Sequence, residues 1–150
     1  MTFDLFVDTQ SIYHEVRRAF GEESRVDFLQ LPGHVMKALG ERAKIESQCA
    51  YVVRRKNGAQ SFADALQSFG YQVELLNQGS QDVDLTLKLM EAAQSTNCMV
   101  LVTCNARLLP LIEQLGEGII ILVFTVKDIF PRKLKGQHFI KEDWIWRGAE

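Results

Sequence analysis

Cysteine is scarce in this chain of 150 residues: there are three, none in a C-x-x-C pair or beside histidine at zinc-ligand spacing. That argues against a disulfide framework and a zinc module, and Cys49, Cys98 and Cys104 are expected as reduced thiols. No apolar run reaches the roughly 18–20 residues that cross a bilayer. The opening MTFDLFVD lacks a basic stretch followed by an apolar one, so an intracellular, cytoplasmic protein away from membranes is expected. Excess basic charge is missing too, since 17 Lys and Arg stand against 19 Asp and Glu for a net charge of -2. Contact with nucleic acid must then come from a local patch, not from the field of the whole surface. Linkers, repeats and low-complexity stretches are absent, and 47% hydrophobic with 24% charged residues is an ordinary globular balance. One domain over residues 1–150 is expected.

What is present is alternation. TFDLFVD reads as a short buried strand ending on Asp8, followed by a helix capped by Thr9 or Ser11, running to Phe20 and closed by Gly21. Val26 to Leu39 reads as a second helix with Asp27 as cap, although Pro32 and Gly33 interrupt its first half. Strands are expected at 43–53, 72–76, 98–103 and 119–125, and helices at 60–69, 83–94 and 106–115. MVLVT and IIILVF are near-continuous apolar runs, as in parallel strands covered on both faces. The fold class is therefore α/β, a three-layer α/β/α sandwich with a mostly parallel central sheet, and the tail is expected to add an edge strand and a docking segment.

Ligands of such sheets gather at the carboxyl ends of the strands. Asp8 lies at one such end, Thr103, Cys104 and Asn105 at another, and the helix opening Gln81-Asp82-Val83-Asp84 places Asp84 within reach of the same crevice. Clustered carboxylates repel one another and are retained where a hard cation such as Mg²⁺ offsets the repulsion. The same two aspartates also suit helix caps or first turns, and both readings stand.

Three stretches in order, FVDTQSIYHEV, QDVDLTLKLM and VLVTCNARLLPLIEQL, resemble the motifs of NYN domains of the LabA-like, limkain-type group, a branch of the PIN-like nucleases. The likeness covers roughly residues 3–125. It implies a PIN-like sandwich whose acids bind Mg²⁺ or Mn²⁺ and hydrolyse RNA, with the first metal-binding aspartate at Asp8 and the helix aspartate at Asp84. This chain departs from the pattern at several places. The opening Asn is Ser11, Lys-Gly before the helix acid is Gln81-Asp82, a later acid is Met90, and the Gly, Asp, Asp and Phe of the third motif are Cys104, Asn105, Arg107 and Leu108.

An amide at 105 removes a charge from a metal site and a guanidinium at 107 adds the opposite one; at 4 Å and an effective dielectric of 20 each unit-charge interaction is worth about 4 kcal/mol. Arg107 suits phosphate, an ion pair with Asp8 or Asp84, or a solvated helix surface. Glu91 or Asp82 could replace a missing ligand, though Asp84-Lys88-Glu91 also forms an ordinary surface ladder. Cys104 could be a reactive thiol or a small substitute for glycine. Arg54-Arg55-Lys56 and Arg132-Lys133-Leu134-Lys135 could track phosphates or be solvated turns. His14, His34 and His138 point to no common site. Two functions follow: a ribonuclease using Asp8, Asp84 and Asn105 as metal-bearing catalytic residues, or a module needing no cofactor that contacts RNA through Arg107, Ser11, Arg54, Arg55 and Lys56, or a protein partner. The two lost acids favour the second.

Overall fold

The computed structural model of the chain describes residues 1–55, 57–128 and 136–146. Strands β1 (Thr2–Asp8), β3 (Lys44–Val53), β4 (Gln72–Leu76), β5 (Cys98–Val102), β6 (Ile120–Thr125) and β7 (Gln137–Phe139) form one sheet in the order β4-β3-β1-β5-β6-β7, every neighbouring pair parallel. Helices α1 (Thr9–Phe20), α2 (Leu31–Leu39) and α3 (Ala59–Ser68) cover one face, and α4 (Gln81–Ala93) and α5 (Leu109–Leu115) the other.

The period-2 alternation of strand side chains builds this sandwich. Leu5, Val7, Ala50, Val52, Val100 and Val102 join Ile12, Val16, Val35 and Leu66 in one core. Their neighbours Phe6, Tyr51, Met99 and Leu101 point the other way, to Leu85, Leu89, Leu108 and Ile112. All five residues of β5 are buried, as a central parallel strand requires. The chain first winds from β1 to β3 and β4, then crosses back to place β5 on the other side of β1. The reversal opens a crevice between the carboxyl ends of β1 and β5.

Two expectations are corrected. The second helix begins at Leu31, not Val26; Asp27 does cap, its carboxylate accepting from the Leu29 and Gln30 N–H groups, but the capped segment is a turn. Val26 and Arg25 instead form a two-residue strand, β2, paired antiparallel with β8 (Ile145–Trp146). The third-motif helix starts as a 3₁₀ turn over Ala106–Leu108, because Pro110 fits only the first turn of the α-helix that follows. The tail supplies its edge strand as β7, and Trp144 docks by stacking on His34 with ring centroids 5.1 Å apart. No helix among the described residues is long and apolar enough to cross a membrane.

Candidate functional site

The crevice between β1 and β5 is a cleft of about 250 Å³ lined by three carboxylates, Asp8, Glu15 and Asp82, together with Ser11, His14, Asn105 and Arg107. Asp8 ends β1 and opens α1, yet its side chain is not used as a helix cap. It is 5% exposed, and its Oδ2 accepts hydrogen bonds from Ser11 Oγ and Thr103 Oγ1, each at 2.8 Å. Burial raises the Asp8 pKa above its ordinary 3.8; the Thr103 and Ser11 hydroxyls act against that rise, and the charge of Asp82 adds to it.

The same hydroxyls tie β1 to the loop after β5. Ser11 Oγ accepts from the Cys104 N–H at 2.9 Å, and Thr103 Oγ1 from the Asn105 N–H at 3.1 Å. Asn105 then works with both ends of its amide: Oδ1 caps the 3₁₀ turn by accepting from the Arg107 N–H at 3.0 Å, while Nδ2 donates to Asp82 Oδ1 at 2.8 Å. An aspartate could keep the cap but not that donation. Arg107 Nη1 donates to the other oxygen of Asp82 at 3.0 Å. Its side chain is 84% exposed, so the pair supplies opposite charge at the cleft more than stability. Glu15, one helical turn beyond Ser11, is paired with Arg18 at 3.2 Å and Lys127 at 3.5 Å.

Among the residues expected at the site, Asp8, Ser11, Asn105 and Arg107 come together. Asp84 does not. Its carboxylate turns back over the β4–α4 connection, accepting from the Asn77 N–H at 2.9 Å and from Ser80 Oγ at 3.4 Å, and Asp82 takes the place in the cleft. Glu91 is not part of the cleft wall, and Lys88 pairs with Glu74 of β4 at 3.7 Å instead of completing a ladder on its own helix. Arg54 and Arg55 follow β3 at the surface, with Arg55 on a second cavity; Lys56 and the 132–135 basic cluster lie outside the described residues. His14 reaches the cleft rim, whereas His34 and His138 stack on Trp144 and Phe124.

Glu15 is the cleft residue that sequence reading missed; its i, i+4 spacing from Ser11 on α1 was the available signal. The Cys104 thiol accepts from the Val126 N–H at 3.4 Å, and burial pushes its pKa up to about 12. Of the two readings of Cys104, this environment disfavours a reactive thiolate and suits the small substitute for glycine. Among the described residues, no group of three or more His, Cys, Asp or Glu side chains is arranged to hold a metal ion.

The NYN domain family model matches residues 3–143. Among solved structures, a crystal structure of a Vibrio parahaemolyticus protein of unknown function superposes with a TM-score of 0.76. The match spans 97% of this chain and 96% of that one at 21% identity, which is a likeness of fold. No curated protein matches the chain.

Proposed function

The chain belongs to the NYN domain family of PIN-like fold, and from that premise we propose that its 150 residues act in the cytoplasm as one RNA-associated domain with metal-dependent cleavage weakened or lost. The observation that carries the reading is the double hold on Asp82 by the Asn105 amide and the Arg107 guanidinium. In the resemblance both positions belong to aspartates. Here they supply a neutral donor and a cation.

The donor set does not fit a divalent ion. Mg²⁺ and Mn²⁺ are held by several oxygen ligands at once, and among the described residues no group of three or more His, Cys, Asp or Glu side chains is arranged to supply them. On the cleft wall Asp8 Oδ2 accepts from two hydroxyls, Asp82 is held by Asn105 and Arg107, and Glu15 pairs with Arg18 and Lys127. A cation entering beside Asp82 would also meet the Arg107 charge. The same residues suit phosphate. The Arg107 guanidinium, 84% exposed and held to Asp82 through Nη1, has further donors that can take an RNA phosphate. Asp84, which the resemblance makes a ligand, serves instead as a brace for the turn that presents Asp82.

The test is the affinity of fluorescein-labelled single-stranded RNA in EDTA, read by anisotropy at several salt concentrations. The wild type is expected to bind without divalent ions. Arg107→Ala is expected to weaken binding by about tenfold and to lower the salt slope by about one counterion. RNA binding that requires Mn²⁺, or is unchanged in Arg107→Ala, would refute it.

A further inference from the structure

The opposite side of α1 faces a second, larger, open cavity of about 380 Å³ between α1, α3 and the carboxyl end of β3. Its chemistry differs from that of the acidic cleft. Two arginines, Arg25 and Arg55, line it, and among the described residues no aspartate or glutamate does. Its walls include three aromatic rings, those of Tyr13, Phe28 and Phe62. Phe28 and Phe62 meet edge to face with centroids 5.6 Å apart, and the Phe28 carbonyl is anchored by the Tyr71 hydroxyl at 2.7 Å, so this wall is pre-formed. Arg17 sits over the Tyr13 ring, 5.0 Å from its centroid.

From this geometry we infer that the cavity is a nucleotide subsite: the aromatic walls hold a base, and Arg25 and Arg55 hold its phosphate. The volume lies in the small-molecule range of about 300–1,000 Å³. A ligand with a flat apolar body and an anionic end satisfies both the rings and the two arginines. Asn57 adds an amide able to pair with a base edge. Gly58 also lines the cavity; at φ +84° it starts α3 without a side-chain cap, directing that helix's positive end to the same place. Gln10 and Val53 line both this cavity and the acidic cleft, so one strand can lay a base here and its neighbouring phosphate beside Arg107. The inference deepens the RNA reading and rests on it for the polymer, not for the nucleotide chemistry.

The experiment titrates ¹⁵N-labelled protein with 5′-AMP, ribose 5-phosphate and myristate, and measures RNA affinity for the wild type, Tyr13→Ala and Arg55→Glu. Both substituted side chains are at the surface, and retained amide dispersion reports folding. AMP is expected to shift the amides of Tyr13, Gly58, Ala59 and Phe62, with ribose 5-phosphate weaker by about tenfold or more for want of a stacking base. Each variant should lose AMP and RNA affinity by about ten- to a hundredfold. AMP binding in this cavity without RNA binding would sustain the subsite while defeating the RNA proposal. RNA binding that both variants leave intact, with AMP absent or bound only at the acidic cleft, would overturn the subsite alone. Preference for myristate over AMP would overturn it as well.

Discussion

With Asn105→Asp and Arg107→Asp introduced together, the melting temperature is expected to become dependent on Mn²⁺, rising by about 5–10 °C at a hundredfold excess over the dissociation constant. The wild type should show no such rise. The double variant changes the local charge by three units: the carboxylate at 105 replaces an amide nitrogen 2.8 Å from Asp82, and the change at 107 removes the guanidinium 3.0 Å from its other oxygen. Without metal the cluster is repulsive, so the variant should melt below the wild type in EDTA. The carboxylate introduced by Asn105→Asp retains the cap on the backbone N–H of position 107, because the accepting oxygen is common to both side chains, so the loop should keep its course. A bound cation then offsets the repulsion and stabilises the fold by mass action. A variant that melts lower in EDTA and stays there with Mn²⁺ would mean that the missing acids are not what separates this cleft from a metal site.

Thr103→Val is expected to destabilise the protein by about 2–4 kcal/mol near neutral pH. Valine fills the same volume at a fully buried position, so the loss is of hydrogen bonds and not of packing. Asp8 loses one of its two hydroxyl donors, and the Asn105 N–H loses its acceptor. The pH dependence gives the effect a signature. Burial already lifts the Asp8 pKa above 3.8, so ionising it in the folded state is unfavourable, and its contribution to stability falls as pH rises through the folded pKa. Removing the Thr103 donor lifts that pKa further. The penalty should therefore be largest above the variant's folded pKa and shrink as pH drops below the wild type's folded pKa, where Asp8 takes up a proton in both proteins. Urea unfolding of both proteins across this range reads it directly. A penalty independent of pH would show that the hydroxyl does not support a carboxylate.

Much of this is legible in the sequence because the relevant signals are periodic or terminal. Alternation of apolar strands and helices predicts the parallel sheet, and strand ends predict that Asp8, Thr103 and Asn105 share an edge. The choice between Asp82 and Asp84 is not resolved by motif spacing. At 3.6 residues per turn, two residues apart means roughly 200° around a helix, so only one of the pair can face the cleft. Leu85 and Leu89 mark the buried face of α4, and Asp82 precedes Leu85 by three, placing it on that side while Asp84 turns away. The apolar stripe carries the answer that the motif register does not. The β2–β8 pair is invisible for a different reason: two residues have no period, and the partner lies over a hundred positions away. Asp27 misleads in yet another manner, since its cap chemistry is real but serves a turn. Arg107 stands out in the sequence as the disruptive substitution, while its partner, Asp82 and not Asp8 or Asp84, requires the fold.

The most direct test is calorimetric titration of Mn²⁺ and Mg²⁺ into the wild type and Asp8→Ala, with the same samples then incubated with single-stranded RNA. The expected result is no stoichiometric metal binding in either protein and intact RNA, because among the described residues no three ligating side chains converge and the Arg107 guanidinium beside Asp82 opposes a cation. Stoichiometric binding that Asp8→Ala abolishes, accompanied by metal-dependent cleavage lost in parallel, would contradict the account and restore the cleft as a nuclease centre.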